Sequence, residues 1–209
     1  MDRTQTFIIG VAGGSGSGKT TTCKRLANHF GDLANVLSCD NYYRPQGHLS
    51  KAERDALNFD HLDAVDFELL AEHLESIKRG DSIEVPTYDF AAHNRTEATT
   101  KLDARRILLV EGILLFADSA VRKQLDFLIF VAASDQLRFD RRLRRDVRDR
   151  GRTEESVREQ WDATVAPMYD QFVGPTQSLA QIVINTDEEA KDCELDPVAI
   201  LAAGIRELL

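Results

Sequence analysis

Gly13-Gly14-Ser15-Gly16-Ser17-Gly18-Lys19-Thr20 fits the pattern Gly-x-x-x-x-Gly-Lys-[Ser/Thr], a spacing built to hold a polyphosphate. Glycines let the main chain approach phosphate oxygens that side chains would block. Successive N–H groups then form an anion nest, reinforced by the positive end of a following helix. In that arrangement Lys19 reaches the β- and γ-phosphates, the Thr20 hydroxyl ligates Mg²⁺, and Thr21 continues the cradle into the helix.

Two acids follow aliphatic runs. Asp40 comes after Val36-Leu37-Ser38-Cys39, and Glu111 after Ile107-Leu108-Leu109-Val110. A strand-end acid beside a phosphate cradle can organise a metal. Strand-end acids also serve as helix caps or turn residues, and Asp40 fits that use equally well; Glu is the poorer cap, which favours a metal role for Glu111. If the phosphoryl acceptor is an alcohol, Asp40 is placed to accept its proton. A third feature is Arg138–Arg152, with eight arginines in fifteen residues of an otherwise acidic chain. Phe139, Leu143 and Val147 recur every four residues, which predicts an apolar stripe turned inward and arginines on the other faces. Such a helix is either a solvated surface stitched by Arg–Asp pairs or a lid that brings arginines to transferring phosphates and excludes water. The phosphate cradle upstream favours the lid, ended at Arg150-Gly151-Arg152.

The elements that must position these residues alternate. Strands are predicted at Phe7–Ala12, Asn35–Ser38, Arg106–Val110, Phe127–Val131 and Ile182–Ile184. Nearly unbroken apolar runs suit a mostly parallel five-stranded sheet with helices on both faces. Cys23, Leu26, Ala27 and Phe30 mark a helix directly after the glycine loop. Asp66 caps a helix carrying Phe67, Leu70, Ala71, Leu74 and Ile77, ended by Gly80, and Asp196-Pro197 opens a last one with Val198, Leu201, Ile205 and Leu208. Residues 82–103 depart from the alternation and read as a small β-hairpin projecting from the sheet, where substrate contacts often reside.

The 209 residues suffice for one α/β domain, 1–209, with the hairpin (82–103) and lid (138–152) as its insertions. A net charge of −9 argues against nucleic-acid binding. No apolar run reaches the ~18 residues of a membrane span, and no signal peptide is visible. Cys23, Cys39 and Cys193 are scattered, without disulfide or zinc spacing. A cytoplasmic chain without membrane partners is expected.

In order along the chain stand Gly13–Thr20, Ser38-Cys39-Asp40-Asn41-Tyr42-Tyr43, Asn58-Phe59-Asp60-His61, Tyr88-Asp89-Phe90-Ala91-Ala92-His93-Asn94-Arg95, Glu111-Gly112-Ile113-Leu114, Arg141–Arg152 and Pro175-Thr176. With this series the chain resembles the uridine kinase family of P-loop kinases, from Phe7 to about Ile184. The resemblance implies a P-loop NTPase fold and transfer of the γ-phosphate of ATP or GTP, with Mg²⁺, to the 5′-hydroxyl of uridine or cytidine. It implies Asp40 as general base near the metal, and Thr20 with Glu111 as the metal-organising pair. Asp60 and Arg142 would hold the ribose, and Tyr88, Phe90 and His93 the base. Arg152 and Gln160 would make further nucleoside contacts, while Arg145 and Arg150 face phosphates. It also implies small-molecule partners and a homotetramer. The neighbouring possibilities are a kinase of another alcohol, as in the phosphoribulokinase and pantothenate kinase branches, and a non-catalytic ATP-binding regulator. Leu62, Trp161, Gln181 and Asn185-Thr186-Asp187 depart from the family pattern.

Overall fold

The computed structural model describes residues 5–187 and 196–208. Cys193 and the side chain of Leu208 lie outside the described part. The core is a five-stranded sheet of β1 (Phe7–Ala12), β2 (Ala34–Ser38), β5 (Ile107–Gly112), β6 (Phe127–Ala132) and β7 (Ile182–Asn185). Their order is β2-β5-β1-β6-β7, and every neighbouring pair is parallel. Alternation along β1 and β5 divides the apolar residues between the faces. Ile9, Val11, Ile107 and Leu109 face α1 (Lys19–Phe30) and α8 (Pro197–Leu208). Ile8, Leu108 and Val110 face α3 (Phe67–Lys78) and α4 (Ser119–Gln124). A sheet covered on both faces explains why its strands are apolar without a polar side.

Local signals set the ends. Asp66 accepts from Leu69 N at 3.3 Å and starts α3; Asp196 accepts from Val198 N at 2.9 Å and starts α8. The departure at residues 82–103 is a separate two-stranded antiparallel sheet of β3 (Ile83–Asp89) and β4 (Asn94–Leu102). It is bound to the loop after β2 through Arg95 on β4. The Arg95 Nε donates to Tyr43 O at 3.0 Å, Nη2 to Tyr42 O at 3.1 Å, and Nη1 pairs with Asp66 at 3.2 Å. The five-residue helix α2 (Lys51–Asp55) abuts the hairpin turn and is closed by a Ser50–Glu53 capping box.

The helix α5 (Asp135–Arg150) ends at Gly151 in the left-handed conformation, where the sequence marks a break. Its inward face differs from expectation. Arg138, Arg142 and Asp146 are the buried residues, whereas Phe139 and Leu143 are half-buried and Val147 is exposed. Burying a polar stripe is permissible only when its groups meet partners; Asp146 meets arginines of α5 and Arg152, Arg142 meets Ser15 and Gln160, and Arg138 meets aromatic rings of the next helical stretch. There α6 (Glu154–Gln160) and the single turn α7 (Ala166–Met168) are separated and followed by π turns at Trp161–Val165 and Tyr169–Val173. Trp161 and Tyr169 open the two π turns, eight positions apart. At 3.6 residues per α turn they would diverge; the wider π turns take up the excess. Both rings therefore meet the Arg138 guanidinium, at 5.3 and 3.6 Å from its carbon. Phe139 packs instead on the outer side, 5.4 Å from the Trp161 ring and beneath Arg158.

Candidate active site

The glycine loop joins β1 to α1 at the carboxyl end of the sheet, the edge at which open α/β sheets bind ligands. Gly16 has φ +80°, and a Cβ there would lie 2.1 Å from the Arg138 carbonyl oxygen, so the loop can pass beneath α5 only as glycine. Gly13, Gly14, Ser15, Ser17 and Gly18 complete the loop. Lys19 is the first residue of α1, and Thr20 and Thr21 are exposed on its first turn. The Ser17 hydroxyl is buried without a hydrogen-bond partner among the described residues.

Parallel pairing aligns Ser38 of β2 with Glu111 of β5, and Glu111 with Val11 of β1. Ser38 donates to Glu111 Oε1 at 3.0 Å, and Thr20 donates to Oε2 at 3.3 Å. One carboxylate thus spans from the cradle to β2. Ser38 Oγ also accepts from Asp40 N at 3.4 Å, starting the tight turn that presents Asp40. Burial raises the Glu111 pKa; Lys19 opposes the rise and Asp40 adds to it. Beneath this turn Cys39 fills a space left by Gly112, where a Cβ would fall 2.4 Å from that of Cys39. The cysteine is a buried packing residue whose thiol is pushed well up by desolvation.

Beyond Asp40 lies an aromatic group. Tyr43 stands 5.3 Å from Phe59 and 5.2 Å from Tyr88; Tyr88 is 5.1 Å from Phe90, and Phe59 5.3 Å from His93. The Tyr88 hydroxyl is buried without a hydrogen-bond partner among the described residues, and burial, with Asp40 next, pushes it up to about 12. Phe90 is 47 % exposed, and the Arg150 guanidinium sits 5.8 Å from its ring. Asp60 is buried close enough to Arg142, Asp40, Lys19 and Arg145 to sense their charges.

The arginines of α5 and of the segment after it share one hub. Arg142 donates to Ser15 Oγ at 2.8 Å and to Gln160 Oε1 at 2.9 Å, and Arg152 donates to the same Gln160 oxygen. Asp146, fully buried, lies 2.8 Å from Arg145, 3.4 Å from Arg150, 3.5 Å from Arg142 and 3.9 Å from Arg152. Arg142, Arg145, Arg150, Arg152 and Gln160 are thus brought together around Ser15 and Asp146, and Tyr88, Phe90 and His93 around Phe59. Those that sequence reasoning missed are Phe59, Tyr43, Arg138 and the hub Asp146. Phe59 and Tyr43 stood inside recognised motifs, so their flanks were a usable signal. Asp146 was indistinguishable from a surface Arg–Asp pair.

Asp60 gives a pH-dependent expectation. Its folded pKa is raised above the ordinary 3.8, chiefly by burial, with Arg142 opposing. The folded chain therefore binds this proton more tightly than the unfolded one. The contribution is fully favourable below about pH 4 and is lost as pH rises through the raised value. Asp60→Asn is expected to melt at or above the parent at pH 7.5, with the difference shrinking towards pH 4.5; a melting point well below the parent at pH 7.5 contradicts this balance.

A glycine loop with lysine between a parallel strand and a helix, strand-end carboxylates beside it and an arginine-rich helix packed on it define a P-loop kinase. The chain belongs to the Phosphoribulokinase / Uridine kinase family, whose model matches residues 8–191. It is 43 % identical over 204 residues to a uridine kinase of Clostridium perfringens, covering 97 % of this chain and 96 % of the relative. It is 44 % identical to a uridine kinase of Chloroflexus aurantiacus, over 86 % of this chain and 87 % of the relative. Among solved structures, phosphoribulokinase from Rhodobacter spheroides superposes with a TM-score of 0.66 at 20 % identity, covering 87 % of this chain and 70 % of that one. D-Glycerate 3-kinase from Cryptococcus neoformans gives 0.60 at 18 %, with coverage of 80 % and 79 %. These two share the fold. Among the described residues no helix is long and apolar enough to cross a membrane.

Proposed function

We propose that residues 1–209 act as one nucleoside kinase unit, transferring the γ-phosphoryl group of ATP or GTP to the 5′-hydroxyl of uridine or cytidine, giving UMP or CMP in pyrimidine salvage. The observation that carries this reading is the position of Asp40. It lies on the turn just after Ser38, which donates to Glu111, and close enough to both Glu111 and Tyr88 to add to the rise of their pKa values, which supports a place for it between donor and acceptor. The uridine kinase relatives at 43–44 % identity support the choice of acceptor.

Each residue then has a task. The loop 13–18, with Lys19, Thr20 and Thr21, holds the triphosphate. Asp40 accepts the 5′-hydroxyl proton as that oxygen attacks phosphorus, leaving the nucleoside diphosphate as the departing group. Lys19, Arg145 and Arg150 balance the charge on the transferring group. Asp60 and Arg142 hold the ribose hydroxyls, with Arg152 and Gln160 beside them. Tyr88, Phe90 and His93 take the flat base, for which the unpartnered Tyr88 hydroxyl and the ring faces are suited.

The donor set also fits Mg²⁺. Thr20, Glu111 and Asp40 offer hard oxygens, and the two carboxylates repel each other, a cost that a cation relieves. Among the described residues no three His, Cys, Asp or Glu side chains converge as a dedicated cage. Thr20, Glu111 and Asp40 would hold such a cation, which would supply charge neutralisation on the triphosphate. A cytoplasmic homotetramer accompanies this reading.

The test is an acceptor panel with ATP–Mg²⁺: uridine, cytidine, purine nucleosides, ribulose 5-phosphate and pantothenate. Uridine and cytidine are expected to be phosphorylated at least tenfold faster than the others, measured as kcat/KM. Turnover confined to ribulose 5-phosphate or pantothenate replaces the acceptor, and no turnover at all leaves an ATP-binding regulator.

A further inference from the structure

Asp55, at the end of α2, has no role in the reading above. Its Oδ1 is 3.0 Å from Nδ1 of His93. Everything around that contact fixes the imidazole. His93 has φ +48°, the one non-glycine residue at positive φ among the described residues. A side-chain-bearing residue is rarely left there without supporting contacts. Asp89 Oδ1 accepts from Ala91 N at 2.8 Å and Ala92 N at 3.0 Å, and Arg54 Nε donates to Ala92 O at 2.9 Å. Asn94 Oδ1 accepts from Gln46 N at 2.7 Å. Lys51 Nζ in turn holds both Asp55 oxygens, at 2.9 and 2.7 Å.

The contact favours one tautomer, by charge rather than by a directed hydrogen bond, which His93 Nδ1 lacks among the described residues. A ring-nitrogen lone pair facing a carboxylate oxygen at 3.0 Å is repulsive, whereas an N–H is attracted, even where the approach is bent from the N–H direction. Nδ1 therefore carries the proton in the neutral ring. We propose that Asp55 is a positioning residue for acceptor choice: it holds the Nδ1 proton of His93, leaves Nε2 as a hydrogen-bond acceptor, and so favours a base edge bearing an amine (cytosine N4) over one bearing a carbonyl (uracil O4). The proposal rests on the reading that His93 faces the base. In the acid form both ring nitrogens donate and the preference reverses. The groups facing the ring are Asp55 and Lys51 from α2, Arg152 from the segment after α5, and the Phe59 ring. Burial lowers the His93 pKa, Asp55 opposes it, and Lys51 and Arg152 reinforce it, so the neutral ring is the working form above pH 7.

The experiment compares kcat/KM for cytidine and uridine from pH 5.5 to 8.5 in the full chain and in Asp55→Asn, Asp55→Ala and His93→Gln. It adds the ring ¹⁵N spectrum of histidine-labelled parent and Asp55→Asn. The parent is expected to show the Nδ1–H tautomer and a cytidine-to-uridine ratio that falls at least threefold on acidification. An asparagine amide can donate to Nδ1 and move the proton to Nε2. Asp55→Asn should therefore lower the ratio at pH 7.5 at least fivefold, with Asp55→Ala in between. If His93→Gln leaves the ratio unchanged, or no nucleoside is turned over, the acceptor reading falls and this inference with it. If His93→Gln shifts the ratio but Asp55→Asn does not, or the parent ring carries its proton on Nε2, the inference alone is overturned.

Discussion

Asp40→Asn is expected to bind ATP within about twofold of the parent while turning over nucleoside at least about a hundredfold more slowly. Removal of a positioned proton acceptor costs roughly 10²–10⁴ in rate. Asparagine keeps the size of the side chain and the turn that carries it. That turn is held by the main chain and by neighbours: Ser38 Oγ accepts the Asp40 N–H, and Asp66 N donates to Tyr42 O at 2.8 Å. None of these bonds uses the Asp40 carboxylate, so the substitution changes proton affinity without dismantling the site. Fluorescent-nucleotide titration and initial rates with saturating acceptor measure the two quantities. Near-parental turnover would remove Asp40 from proton transfer. A parallel loss of ATP affinity would assign it mainly to holding the metal.

Asp146→Asn is expected to lose about 3–5 kcal/mol of stability, the range found when one partner of a buried ion pair is removed. Asp146 has no exposed surface, and four arginines surround it, so its removal leaves an uncompensated positive cluster on the inner face of α5. The spokes are not equivalent to the hub. Arg145 is 36 % exposed at its side chain, and Arg145→Met should cost less than ~1 kcal/mol, as for other solvent-screened pairs. Urea unfolding of both variants measures the difference. Equal losses in the two would show that the carboxylate is no hub, and a stable Asp146→Asn would show that the arginines find other partners.

These two residues differ in how readily their surroundings can be read from the chain. Asp40 follows a run of aliphatics and precedes two tyrosines, and a strand that must end at the sheet edge places it. The glycine loop announces its own conformation, and the hairpin announces itself as an extended segment, departing from the strand–helix alternation and followed by a polar turn. The interior face of α5 could not be read in the same way. Periodicity assigns apolar residues inward on the assumption that charge seeks water. That assumption fails where distant groups stand ready to meet the charge, as Ser15, Gln160, Trp161 and Tyr169 do here. The geometry depends on two π turns that no local propensity foretells. The Asp55–His93 contact was equally hidden, since 38 positions separate its members and nothing but the folded hairpin turn brings them together.

The three-pronged attachment of Arg95 has an implication for how such an enzyme changes its diet. Tyr42 and Tyr43, whose carbonyls Arg95 grips, belong to the segment that displays Asp40, and Asp66 caps the helix behind it. The β3–β4 ribbon is thus not a cassette that can be exchanged at its two strand ends. A transplanted ribbon lacking this arginine would leave the Tyr43 carbonyl without its donor and take one partner each from the Tyr42 carbonyl and the Asp66 carboxylate, beside the turn that carries Asp40. New appetites in this lineage are more accessible by retouching single side chains on the ribbon than by replacing it whole.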